Sequence, residues 1–184
     1  MMRLALLTSE TRVLIDLRAT GLLRAVGHDP TLTVRPDPWA TEVTEVVDGA
    51  AIELPIDVRF AAAAIEPPAD MGAADRDKMR ENMRGRDVLD VARYPMIELH
   101  GRYVGTLDKG RLSGALHVRG APRPISMEVR GRASAGSARH TVDVRGQWDG
   151  RLSDLGVRPF RALLGALKLE DWVRLRLEAS LSVR

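Results

Sequence analysis

Between residues 95 and 148 the chain alternates apolar and polar positions in four successive short runs. Ile97, Leu99, Gly101 and Tyr103 alternate with Met96, Glu98, His100 and Arg102, and Leu112, Gly114, Leu116 and Val118 alternate with Arg111, Ser113, Ala115, His117 and Arg119. Ile125, Met127, Val129 and Gly131 follow, set against Ser126, Glu128, Arg130 and Arg132. Val142, Val144, Gly146 and Trp148 close the series against Thr141, Asp143, Arg145 and Gln147. A period of two marks strands with one dry face and one wet face, and loops this short mark hairpins.

The rest of the chain extends the pattern. Val13, Ile15 and Leu17 share a face in a strand over residues 12–17. A helical turn capped by Thr20 and ending at Gly27 is expected next, and a second strand in which His28 is in phase with Leu32 and Val34. A less regular strand over 42–47 turns at Asp48-Gly49 into a clean one over 52–60. Pro55 lies in that strand and lacks a ladder donor, so the strand borders an unpaired stretch or an opening. Residues 75–89 switch to helical spacing with Met79 and Met83 on one stripe, and 160–167 show a weaker helical pattern broken by Gly165. The last strand, 172–183, alternates throughout and is too long to be a free edge; it is expected to pair back to the N-terminal strands. The fold class that follows is all-β, with residues 1–184 forming one domain. Its architecture is an antiparallel barrel of eight or nine strands with one inserted α-helix and short helical turns, which hides every strand edge.

Register adds a finer expectation. With Gly101 opposite Gly114 the first hairpin closes over 106–109. With Gly114 opposite Gly131 the second closes over 121–124, and with Gly131 opposite Gly146 the third closes around Ala138 and Arg139. The four glycines would then form one inward row. Such a row is either a set of bends where the sheet coils or the roof of a void.

Charge narrows the partners. Lys and Arg number 28 against 25 Asp and Glu, a formal net charge of +3, and the basic residues of the helix, Arg76 to Arg86, are interleaved with acids. With 4% aromatic residues there is no stacking platform either, which argues against nucleic acid. Cysteine is absent, so neither a disulfide nor thiol chemistry is available. The apolar run at residues 4–7 is too short for a secretory leader, from which a cytoplasmic location is expected. No stretch of eighteen apolar residues is present, so no membrane-spanning helix is expected.

Enzyme chemistry finds little support. The chain has no His-Glu-x-x-His, no phosphate-cradling glycine loop and no nucleophile elbow. His100 and His117 fall on outward positions and His140 at a turn. His28 and Asp29 are adjacent on one strand and point to opposite faces, so they form no dyad by themselves. No second histidine stands at metal-ligand spacing from His28, and no cofactor is expected.

Four blocks carry a family resemblance: Gly21-Leu22-Leu23 with Gly27-His28-Asp29-Pro30; the helix from Asp75-Arg76-Asp77-Lys78 to Met83 and on to Tyr94-Pro95-Met96-Ile97; Gly114-Ala115-Leu116-His117-Val118-Arg119-Gly120 ending in Pro124-Ile125; and Ser153-Asp154-Leu155-Gly156-Val157-Arg158-Pro159-Phe160. In order and spacing these resemble the YceI-like family. The resemblance covers nearly the whole chain. It implies an extended lipocalin-like barrel whose lumen holds a long apolar chain such as a polyisoprenoid, often in a homodimer, with no catalytic motif.

Two functional readings follow. In one, the barrel carries an isoprenoid-like or fatty lipid, and the residues expected to meet it are His28, Leu32, Met79, Met83, Leu99, Gly101, Tyr103, Gly114, Leu116, Met127, Val129, Gly131, Gly146 and Trp148. In the other, the lumen is filled by its own side chains and the protein acts through its surface or a dimer interface, as a structural or stress-related barrel.

Overall fold

The fold was obtained as a computed structural model, which describes residues 4–6, 10–20, 29–37, 40–41, 51–133, 140–159, 161–162 and 167–183. In chain order the strands are β1 (Leu4–Leu6), β2 (Arg12–Thr20), β3 (Thr31–Val34), β4 (Ala40–Thr41) and β5 (Ile52–Ala61). A 3-10 turn (Ala62–Ala64) and the helix α1 (Ala73–Arg84) follow, then β6 (Met96–Gly105), β7 (Lys109–Val118), β8 (Ala121–Ala133), β9 (His140–Gly150), β10 (Arg161–Ala162) and β11 (Leu167–Val183). Eight of them form one curled antiparallel sheet in the order β3-β2-β11-β9-β8-β7-β6-β5, and β1, β4 and β10 add short ladders beside it.

The alternation decides the faces. Ile97, Leu112, Leu116, Ile125, Met127 and Val129 are buried toward the interior, while Glu98, His100, Arg111, Ser126, Glu128 and Arg130 face outward. The seventeen residues of β11 pair with β9 from Val173 to Val183 on one side, and with β2 and then β1 on the other. The expected return of the C-terminal strand to the N-terminal ones is therefore present. At the opposite margin β5 ends the hydrogen-bonded order, so Pro55 sits on an edge where its missing N–H costs no ladder bond. Just past β5 the chain crosses to β3. Thr33 and Glu66 exchange both backbone hydrogen bonds, at 3.0 and 2.8 Å, and Asp37 N donates to Arg59 O at 2.8 Å. These bonds bring the two margins together and curl the sheet into a barrel.

The helix covers one end. It starts after Gly72 with Asp75 in its first turn, and it buries Met79 and Met83 against the inward side chains of the strands. Two fully buried methionines contribute about 1.5–3 kcal/mol each. Arg80 meets Glu66 at 2.6 Å and Asp77 at 2.7 Å, and Arg84 donates to Ala63 O at 2.7 Å, which ties the helix to the segment that closes the sheet. Residues 152–157 plug the same end, with Leu152, Leu155 and Val157 buried.

Two element boundaries differ from the sequence expectation. The helix ends at Arg84 rather than Leu89, because Gly85 lacks helical propensity and the chain then makes turns in which Leu89 N reaches Met83 O and Asp90 takes a φ of 50°. Of the helical segment expected over 160–167, Arg161 and Ala162 form β10, which pairs with Lys168 and Leu167, and β11 starts at Leu167, five residues before Trp172; residues 160 and 163–166 lie outside the described residues. The interval carries Gly165, and a strand partner was available. The helical turn after Thr20, the strand over 42–47 and the Asp48-Gly49 turn lie outside the described residues.

On the outer face one cluster joins three strands. Arg176 on β11 grips Asp16 on β2 through Nε and Nη2 at 2.6 and 2.7 Å, and Thr31 on β3 donates to the same carboxylate at 2.8 Å. The bond from Arg176 holds the Asp16 carboxyl below its usual range against the opposing effect of burial. Bonds from Arg174 and from Ser153 likewise lower Asp149 and Asp171. A depressed carboxylate pKa stabilises the fold fully above the unfolded value, about 3.9, and that stability is lost as pH falls through the folded values. The thermal midpoint should therefore drop as pH is lowered below about 4. Asp16→Asn should lower it at neutral pH and flatten the acid limb, as read by circular dichroism melts across pH. In the same assay Met79→Asp with Met83→Asp should destabilise the fold by several kcal/mol, about the cost of burying unpaired charge.

Candidate functional site

Inside the barrel lies a cavity of about 270 Å³. At about 30 Å³ of liquid per water, that is room for roughly nine waters, the bulk of an alkyl segment of about as many methylenes. Its walls are the inward residues of the sheet, from Val13, Ile15 and Leu17 on β2 to Leu175 and Leu177 on β11, and Met79 and Met83 roof it under α1. Among the described residues only Thr11, Tyr103, Thr106 and Arg158 bring polar groups to the lining. Such a space stays dry and takes hydrocarbon in preference to water.

Nine of the fourteen residues expected from the sequence to meet a ligand border this cavity: Leu32, Met79, Met83, Leu99, Tyr103, Leu116, Met127, Val129 and Gly131. His28 lies outside the described residues. Gly101, Gly114, Gly146 and Trp148 do not border it, and the register differs in part from the one expected. Gly101 does stand opposite Gly114, with the hairpin over 106–109 closed by a bond from Thr106 N to Lys109 O at 2.8 Å. Gly114, however, faces Ile125, Gly131 faces Val144, and Gly146 faces Val129 and Leu177, so there is no row of four. The β7–β8 hairpin turns on Arg119 and Gly120, whose φ values of 53° and 73° belong to a two-residue type I′ turn, and not on residues 121–124. The third hairpin tip, around Ala138 and Arg139, lies outside the described residues.

The glycines permit close approach rather than roofing a void. A Cβ on Gly101 would sit 2.6 Å from Ser113 O, and one on Gly114 would collide with His100 O and the Gly101 Cα. At Gly131 it would overlap the Leu107 carbonyl, whose neighbour Asp108 accepts from Gly131 N at 2.8 Å. The space over Gly146 is taken by Met127 Sδ at 2.9 Å and Val129 Cγ2 at 3.2 Å. Trp148 is half-buried and folds its ring over Gly150. Of the two readings of these glycines, a row roofing one void is not what the backbone forms; each stands in close approach to a neighbouring strand, loop or side chain, and Gly131 alone of the four borders the cavity.

Residues that sequence reasoning did not assign to the site complete it. Leu17, Phe60, Val173 and Leu177 lie on strands whose inward faces were legible, but nothing in one strand tells how far its neighbours stand from it. Leu152, Leu155 and Val157 enter from the turn after β9, where their irregular spacing gave no periodic signal. Tyr103 turns its hydroxyl to the Thr106 carbonyl. Burial, followed by the charge of Asp108, raises its pKa and keeps it a neutral donor.

The residues of the YceI-like domain model match positions 19–181. The chain belongs to the YceI-like family. Among solved structures this member is similar to a YceI protein of Campylobacter jejuni, at 12% identity and a TM-score of 0.53 over 78% of this chain and 90% of that one. It is also similar to BcnA of Burkholderia cenocepacia, at 11% identity and a TM-score of 0.59 over 95% and 98%. At such identities the likeness is one of fold. A comparison with curated proteins finds no match.

In this YceI-like chain the outward histidines lie where the alternation puts them. His100 is exposed, 3.3 Å from Asp57 and 3.6 Å from Glu98, with the His117 ring edge-on at 5.2 Å between centroids. Among the described residues no group of three His, Cys, Asp or Glu side chains is arranged to hold a metal ion. No helix among them is long and apolar enough to cross a membrane. Because the glycines serve close backbone contacts, Gly114→Ala or Gly131→Ala should cost at least about 2 kcal/mol, by overpacking against groups that cannot rotate away. Gly72→Ala, where a Cβ would meet only Asp75 Oδ2 at 3.7 Å, should be tolerated. Urea titrations of the three variants read the difference directly.

Proposed function

We propose that this protein is a non-enzymatic carrier that encloses one long apolar or amphiphilic lipid, of the isoprenoid-like or fatty class, inside the barrel. The observation that carries the reading is the cavity of about 270 Å³, bounded on nearly every side by branched aliphatic and methionine side chains. Each methylene moved from water into such a space gains about 0.8 kcal/mol, so a chain burying ten gains roughly 8 kcal/mol before ordering costs, enough for micromolar binding. Thioether side chains at Met79, Met83 and Met127 adapt to chains of differing shape. Arg158, the charged residue of the lining, stands beside the plug and can meet a polar head. A homodimer belongs to the same reading, by way of the family resemblance.

Native mass spectrometry of the purified protein, followed by organic extraction, tests this. The expected result is an adduct of a few hundred daltons that partitions into solvent, with the oligomeric state read from the same spectrum. Val58→Phe on the edge strand β5 projects a larger side chain into the lumen and should lose the adduct while its melting temperature moves little. A wild-type protein with no extractable lipid, and none taken up from detergent, would leave the self-filled barrel in its place.

A further inference from the structure

The strand register gathers like charges on the outer face beside the β6–β7 hairpin. Lys109 stands opposite Arg130, and Arg130 opposite Arg145, on three adjacent strands; Arg132 follows two residues along β8. All four are exposed. Adjacent strands are about 4.8 Å apart, so the row of three lies within roughly one Debye length, and like charges directly opposite each other destabilise a sheet. Among the described residues none of the four makes an ion pair. Of the nearby acids among the described residues, Glu178, opposite Arg145, is held by Arg12 at 2.7 Å; Asp143, opposite Arg132, accepts from Ser180 at 2.8 Å; Glu128 faces Arg111 at 3.8 Å; and Asp108, beside Lys109 at the hairpin tip, where its carbonyl accepts from Gly131 N, forms no ion pair with the row. On the same face Val104, opposite Arg111, is 49% exposed, the one large apolar side chain so exposed among the described residues.

We propose that this face docks on an anionic lipid surface. A row of cations that costs stability in the free protein is neutralised by a plane of negative headgroups, and an exposed valine beside it suits the headgroup boundary. The face carries no aromatic side chain on which a base could stack, which disfavours a nucleic acid. The cavity lining reaches Thr106 and Leu107 of the adjoining hairpin, so the docking face and the cavity meet at one end of the barrel.

Co-sedimentation of the full chain with phosphatidylcholine vesicles, with and without phosphatidylglycerol, tests this. Binding is expected only with the anionic lipid and should fall with added salt. Arg130→Glu sets a carboxylate between Lys109 and Arg145. It should raise the melting temperature while weakening vesicle binding roughly thirtyfold, at about 1 kcal/mol for each of the two charges changed. Lys109→Gln with Arg145→Gln, which only removes charge, should weaken binding to a similar extent. Arg86→Glu, an equal change of net charge at the helix-covered end, should leave binding nearly intact. Equal binding to neutral vesicles, or equal losses from Arg86→Glu and Arg130→Glu, would overturn the proposal. Vesicle binding is measured whatever the cavity holds, so failure here and failure of the carrier reading are separate results.

Discussion

The barrel depends on one ladder, that of β11. Strands β5 to β9 pair in sequence order, each with the next, and could exist as an open sheet, and β2 and β3 form a separate antiparallel pair; β11 is hydrogen-bonded to both. Because it pairs on both sides, a strand of seventeen residues presents no free edge. The long-range pairing of the first strands with the last carries a large loop-closure cost, which cooperative burial of the inner face must offset. The second seam, between β3 and the segment after β5, is among the described residues a bridge at Thr33 and Glu66 with a further bond and an ion pair between Asp37 and Arg59. Here α1 adds what the ladder lacks. Arg80 and Arg84 hold Glu66 and the Ala63 carbonyl, but solvent screens such exposed contacts, so the buried methionines do most of the holding.

Strands and faces were legible in the sequence because period-two alternation is a local property and a half-buried sheet enforces it. Register was less legible, since it depends on turn chemistry and on neighbours far along the chain. Pro122 and Pro124 read as turn residues, yet they lie in β8, opposite His117 and Ala115. They are tolerated because β9 pairs with β8 only from Glu128 onward, leaving the proline-bearing half with β7 as its single ladder partner. Across that unpaired margin the 152–157 plug packs, with the Arg123 guanidinium against Gly156. The glycine row failed for the same reason. Its members were displaced along the ladder by even numbers of residues, so every side chain kept its face while the partners changed.

The cavity is real although the feature that suggested it is not its cause. Glycines at 101, 114 and 131 let backbones approach, and the void arises instead from what lines the middle of the barrel. An eight-stranded interior is about filled by ordinary side chains when large residues are used. Here the large rings go elsewhere: Trp148 lies over Gly150, Tyr94 over Gly120, and Trp172 stacks outward beneath Arg18 at 3.9 Å. Phe60 and Tyr103 are the aromatic side chains that reach the lumen among the described residues, and the aliphatic remainder is too small to meet across it. The low aromatic content, which argued against nucleic-acid binding, thus also explains an empty centre.

Charge shows the same limit of composition. A net charge of +3 with interleaved signs describes a mildly basic, well-solvated protein, and for α1 that description holds, since Arg80 finds Asp77 and Glu66. In a sheet, neighbours in space are set by the ladder rather than by sequence. Glu128 and Arg130 are two apart in the chain, yet Arg130 meets Lys109 and Arg145 directly across. At strand spacing those neighbours interact more strongly than any charge a Debye length away, so the local excess of cations governs what this face can approach. A protein can be nearly neutral in sum and still carry, on one face of one sheet, a field that only the register creates.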